Sequence, residues 1–147
     1  VQQQVAKWNV PGTVLPAGSQ EKAAWFKRAD VALAASGTVS LELAASGTPM
    51  VIAYDMAWLS RIIISRLLMV DTVTLVNLVS ETRVVPEFIG KNCESGPIAQ
   101  AVLDVLADPL SQQAAMTLTM ERLGQGGEVP GLRAARAVLD RLPNTPV

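Results

Sequence analysis

The stretch from Asp30 to Tyr54, DVALAASGTVSLELAASGTPMVIAY, constrains the fold more than any other part of the chain. An apolar run, Val31 to Ala35, stops at a small polar turn, Ser36-Gly37-Thr38. A helical pattern with one carboxylate, Glu42, follows, and a second turn, Ser46-Gly47-Thr48-Pro49, leads into another apolar run, Met50 to Ala53. Strand, tight turn, helix, tight turn, strand is the smallest unit of a parallel sheet, because parallel strands need a crossover between them. Gly47 reads as the helix stop and Pro49 as the residue that sets the turn into the next strand.

The flanking sequence extends this pattern. Val1 to Trp8 looks like a helix tail and Val10 to Leu15 like a short β-prone run. Ser19 is a credible N-cap for a helix over 20–28, with Glu21 in its first turn. Trp58 to Met69 reads as helix, and Thr72 to Val79 (TVTLVNLV) reads as a strand because it is rich in β-branched residues, with Asn77 near its end. Arg83 to Ile89 is ambiguous: Pro86 suits a short helix or a loop. Helices are predicted over 97–107, 110–123 and 132–142, with Gly124 to Gly127 as a loop and Pro143 to Val147 as a frayed tail. The predicted order is β-α-β-α-β-α-β and then only helices. This is an α/β domain, a Rossmann-like parallel sheet flanked by helices, with right-handed crossovers and its ligand edge at the strand C-termini.

Composition bounds the function. Half of the 147 residues are hydrophobic, enough for a buried core. The net charge of −1 gives no basic surplus for nucleic-acid binding. The single cysteine, Cys93, cannot form an internal disulfide, which suits a reducing compartment. Without histidine, a zinc site is disfavoured and a histidine-based triad is excluded within these residues. No apolar stretch reaches the ~18–20 residues of a membrane-spanning helix, and Arg61 and Arg66 interrupt the nearest one. Val1-Gln2-Gln3-Gln4 does not resemble a signal peptide, and an excised part of a longer protein is expected.

Several residues carry two readings each. Ser36-Gly37-Thr38 fits a plain helix cap, but it also sets hydroxyls and free backbone N–H groups at a helix start that follows a strand C-terminus, where anions bind. The spacing is neither a P-loop nor a GxGxxG fingerprint. Glu42 is either an exposed face position or a cleft carboxylate able to accept hydrogen bonds from both hydroxyls of a ribose. Asn77 is either a structural hydrogen-bonding group or a ligand group, and Arg83 and Glu87 either pair on the surface or belong to the site. Trp58, Leu59, Ile62 and Ile63 with Arg61 and Arg66 fit core plus surface arginines, or an interfacial helix that meets anionic headgroups.

At these residues the chain resembles bacterial lipid-A-disaccharide synthases. The resemblance runs from about Trp25 to about Cys93: the ADVALAASGTVSLELAASGTPMVIAY block, a Trp-Leu-x-Arg segment, and TLVNLVSETRVVPEFIG. The S-G-T-x-x-x-E-L-A-x-x-G-x-P pattern is shared widely among GT-B glycosyltransferases, and the VNLV…RVVPE segment points to this family. The resemblance implies part of the C-terminal domain of a GT-B fold over 1–147, with 97–147 as a mostly helical extension. It implies transfer of 2,3-diacylglucosamine from UDP-2,3-diacylglucosamine to 2,3-diacylglucosamine 1-phosphate (lipid X), giving a β-1,6 disaccharide and UDP. It further implies no cofactor or metal, no nucleic-acid partner, a peripheral place on the cytoplasmic face of the inner membrane, and a homodimer as one allowed state.

Carried over by position, Ser36, Gly37 and Thr38 would meet the diphosphate and Glu42 the ribose. Asn77 would sit at the donor site with Arg83 and Glu87 near it, and Trp58, Leu59, Arg61, Ile62 and Arg66 would approach acyl chains or membrane. Where relatives often carry a basic residue after the tyrosine of the second strand, this chain has Asp55. The family's catalytic acidic residue lies in an N-terminal domain, and a Gly-Ser-Arg turn opens the C-terminal one. Neither is in these residues, so half a donor site and no complete active site is expected. Other readings are another GT-B UDP-sugar transferase or epimerase, such as the peptidoglycan N-acetylglucosaminyltransferase type, or a non-catalytic α/β interaction module.

Overall fold

Met50, Val51 and Ile52 are apolar in succession, the pattern of a strand covered on both faces. The computed structural model of the chain has this arrangement; it describes residues 1–16, 18–35, 37–55 and 71–141. The elements are α1 (Gln2–Val5), α2 (Lys22–Arg28), β1 (Ala32–Ala34), α3 (Val39–Ser46), β2 (Met50–Tyr54), α4 (Leu75–Ser80), β3 (Glu87–Ile89), α5 (Ser95–Ala107), α6 (Gln113–Arg122) and α7 (Pro130–Leu139). The strands form a parallel sheet in the order β1-β2-β3, with Ala32 opposite Met50 and Ile52 opposite Glu87.

The central strand β2 carries the core. Met50 and Ile52 are fully buried with Leu43 and Ala44 of α3, Val76 of α4, Val85, and Ala115 and Met116 of α6. Side chains alternate along a strand, so Val51 faces the other way, where α5 packs on β2 and Val105 is buried. The α3 helix ends as its sequence predicts. Gly47 takes φ +71°, its N–H bonds to the carbonyl of Ala44, and the N–H of Thr48 bonds to that of Leu43, a left-handed cap that glycine adopts without cost.

Two expectations are corrected. TVTLVNLV is not a strand: 72–74 lead into helix α4, and Asn77 lies within that helix rather than at a strand end. Val76, Asn77 and Ser80 are its buried residues, an i, i+1, i+4 spacing that belongs to a helix. Packing of α4 on α3 and α6 overrides the β-branched composition. The run Val10 to Leu15 forms no strand either; Pro11 has no N–H to give a ladder, and Val10 is exposed. The sheet therefore has three strands among the described residues, and the ambiguous segment after Pro86 supplies the third. The predicted helix over Trp58 to Met69 lies outside the described residues.

Two buried side-chain amides seal the sheet, and both work alike. Gln112, fully buried, accepts from the N–H of Met50 (3.0 Å) and donates to its carbonyl (2.9 Å). Asn77 does the same for Val85, at 3.0 and 2.9 Å. Each amide stands where a neighbouring strand would otherwise supply one donor and one acceptor.

Candidate functional site

The N-terminus of α3 follows the C-terminal end of β1, at the sheet edge where open α/β sheets take ligands. Gly37 precedes it with φ +124°, a conformation that L side chains rarely adopt. Thr38 stands at the cap position, but its side chain makes no capping hydrogen bond. The turn is instead tied by the carbonyl of Gly37, which accepts from the hydroxyl of Ser40 at 2.9 Å. The exposed hydroxyl of Thr38 is thus left to solvent. Ser36 lies outside the described residues.

Glu42 is four residues after Thr38, so the two share a helix face one turn apart. Its carboxylate is half exposed and ion-paired at 2.5 Å with Lys22, which opens α2. Nothing local in the sequence joins these two residues; the packing of α2 on α3 does.

The other predicted residues form a second, separate cluster centred on Glu87. One oxygen of its carboxylate, Oε1, accepts from the hydroxyl of Thr72, the N–H of Thr74 (2.8 Å) and the amide of Asn77 (3.2 Å). The other, Oε2, accepts from the N–H of Val73 at 3.2 Å. Thr74 is held through its backbone; its own buried hydroxyl has no partner among the described residues. Arg83 donates to Asp71 (3.2 Å from Nε) rather than to Glu87, and holds the Asp71 carboxyl below its ordinary value. Among the described residues no hydrogen bond or ion pair links this cluster to Gly37, Thr38 or Glu42. The structure therefore brings together Asn77 and Glu87, and separately Thr38 and Glu42. Trp58, Leu59, Arg61, Ile62 and Arg66 lie outside the described residues.

Burial pushes the Glu87 carboxyl up, but the hydrogen bonds from Thr72, Thr74 and Val73 outweigh it, and its pKa falls below the ordinary 4.5. A carboxyl lowered by folding contributes stability that is present above the unfolded pKa and lost as pH falls through the folded one. Glu87→Gln is therefore expected to be less stable than the parent near neutrality, with the gap closing below about pH 4. Urea unfolding at stepped pH checks this, and a gap independent of pH would count against the network.

Among the described residues no group of three or more His, Cys, Asp or Glu could hold a metal ion, and no helix is long and apolar enough to cross a membrane. A family model described as lipid-A-disaccharide synthetase matches residues 3–138. A lipid-A-disaccharide synthase of Ruegeria pomeroyi is 61% identical over 150 residues, covering 97% of this chain and 37% of that protein. One from Paramagnetospirillum magneticum is 41% identical over 145 residues, covering 95% and 37%. One from Rickettsia bellii is 43% identical over 91 residues, covering 62% and 24%. The chain thus spans at most about 37% of the length of these relatives.

Proposed function

The chain belongs to the lipid-A-disaccharide synthetase family, and from that membership we propose that it is the UDP-sugar donor side of such a glycosyltransferase. In this reading the full-length enzyme moves 2,3-diacylglucosamine from its UDP donor to 2,3-diacylglucosamine 1-phosphate at the cytoplasmic face of the inner membrane. The observation that carries it is the tip of α3: a Thr38 hydroxyl free of any capping bond, Gly37 at positive φ and, one turn on, Glu42, all directly after a strand end. The helix N-terminus favours the diphosphate and the carboxylate favours the ribose hydroxyls. Ser36 joins the diphosphate group on its sequence, and Trp58, Leu59, Arg61, Ile62 and Arg66 are given the approach of the acyl chains on theirs.

Asn77, Arg83 and Glu87 serve the donor through the backbone between 71 and 87. The groups of Asn77 and Glu87 are occupied within the protein, so in this reading they hold the 72–87 backbone in place rather than touch the sugar. An inverting transfer needs a general base beside the acceptor hydroxyl. No residue of this chain takes that role, which is assigned to the remainder of the enzyme.

UDP titration tests the reading. Glu42→Ala is expected to weaken UDP by about tenfold or more, since hydrogen bonds to a charged acceptor are worth about 1.5–3 kcal/mol. Pyrophosphate, which has no ribose, should change by less than about twofold on the same scale. Equal weakening of both would remove Glu42 from the ribose, and a wild-type protein that ignores millimolar UDP would remove the donor site.

A further inference from the structure

Lys22 is held from two sides. Its ammonium lies 2.5 Å from Oε2 of Glu42 and 5.4 Å from the centroid of Phe26, which packs against the core. The pair is of little use to stability: its side chains are 45% and 48% exposed, and pairs at such positions contribute little. Its effect on a ligand is larger. A diphosphate at the α3 tip would stand about one helical turn from the Glu42 carboxylate, and like charges so close repel. The helix dipole, about half a charge, offsets only part of this.

We propose that Lys22 is a positioning residue for a nucleoside diphosphate, cancelling the charge of the Glu42 carboxylate so that one helix tip can hold diphosphate and ribose together. Lys22 bonds one oxygen of Glu42, and the lone pairs that remain can accept from ribose hydroxyls. The proposal rests on the donor-site reading above and adds α2 to that site.

The test is calorimetric titration of the full-length enzyme with UDP and with uridine, which lacks the phosphates. Lys22→Met is expected to weaken UDP about fivefold while uridine changes less than about twofold, the scale of one half-exposed charge. Lys22→Arg should restore UDP, because the charge returns. In a Glu42→Gln background the loss on Lys22→Met should shrink, since the carboxylate charge is already gone. An undiminished loss there would overturn action through Glu42. Unchanged UDP affinity in Lys22→Met, or equal loss of UDP and uridine, would overturn the proposal while leaving the donor site standing. A wild-type enzyme that binds neither ligand would overturn both.

Discussion

Asn77→Asp is expected to lose about 4 kcal/mol of stability at neutral pH, of which acidification returns a large part. The amide nitrogen of Asn77 donates to the carbonyl of Val85 and to the carboxylate of Glu87, the latter at 3.2 Å. Aspartate at this place keeps the acceptor for the N–H of Val85 but removes both donations and sets a second carboxylate against Glu87. Two carboxylates at such a distance cannot both ionise freely, so one pKa of the pair rises above its unfolded value. A raised carboxyl takes up a proton on folding, so the variant gains stability as pH falls through that pKa, and the regained proton replaces the lost donor. The parent moves the other way at this site, because its Glu87 is lowered. Urea midpoints of the two proteins should therefore converge between about pH 7 and pH 5. A constant separation would mean that residues 77 and 87 do not share a hydrogen bond.

Gln112→Leu should cost a similar amount with no such recovery. The substitution keeps the side chain's bulk and apolar surroundings but leaves the N–H and carbonyl of Met50 without partners, both at a fully buried residue. Each stranded group costs about 1–3 kcal/mol, so a loss near 4 kcal/mol is expected, a large share of the ~5–15 kcal/mol that holds a domain folded. The neighbouring Gln113 is exposed and gives the control: Gln113→Leu should stay within about 0.5 kcal/mol. Chemical denaturation with an unchanged slope checks both. Equal stability of the Gln112→Leu protein and the parent would show that water or a rearranged strand satisfies Met50.

Those effects mark where the sequence was legible. The unit from Asp30 to Tyr54 could be read directly, because its strands are short apolar runs and its turns are written in Gly, Thr and Pro. The structure keeps its order, its left-handed Gly47 and its parallel pairing. The segment from Thr72 to Val79 could not be read from composition, because its β-branched residues fit a strand as well as they fit a helix that packs on two others. The helical spacing of Val76, Asn77 and Ser80 shows only as burial in the fold, since two of the three are polar. At the site, Thr38 and Glu42 needed only helix geometry to be placed on one face. Lys22 needed the packing of α2, and the occupancy of Asn77 and Glu87 by backbone groups needed the whole fold. Side-chain amides that bracket a distant residue leave no local mark in a sequence.

The bond from Gln112 to Met50 closes a loop across 62 residues. The central strand is therefore finished by a part of the chain made long after it. On the ribosome β1, α3 and β2 emerge before α6, with the entry to β2 still open on its hydrogen-bonding side. Closing so long a loop is slow compared with forming the local helices. The start of β2 is thus secured only after Gln112 has been made, although the strand itself is made earlier. Until α6 docks, the unsealed start of β2 is the exposed edge that a newly made chain must protect.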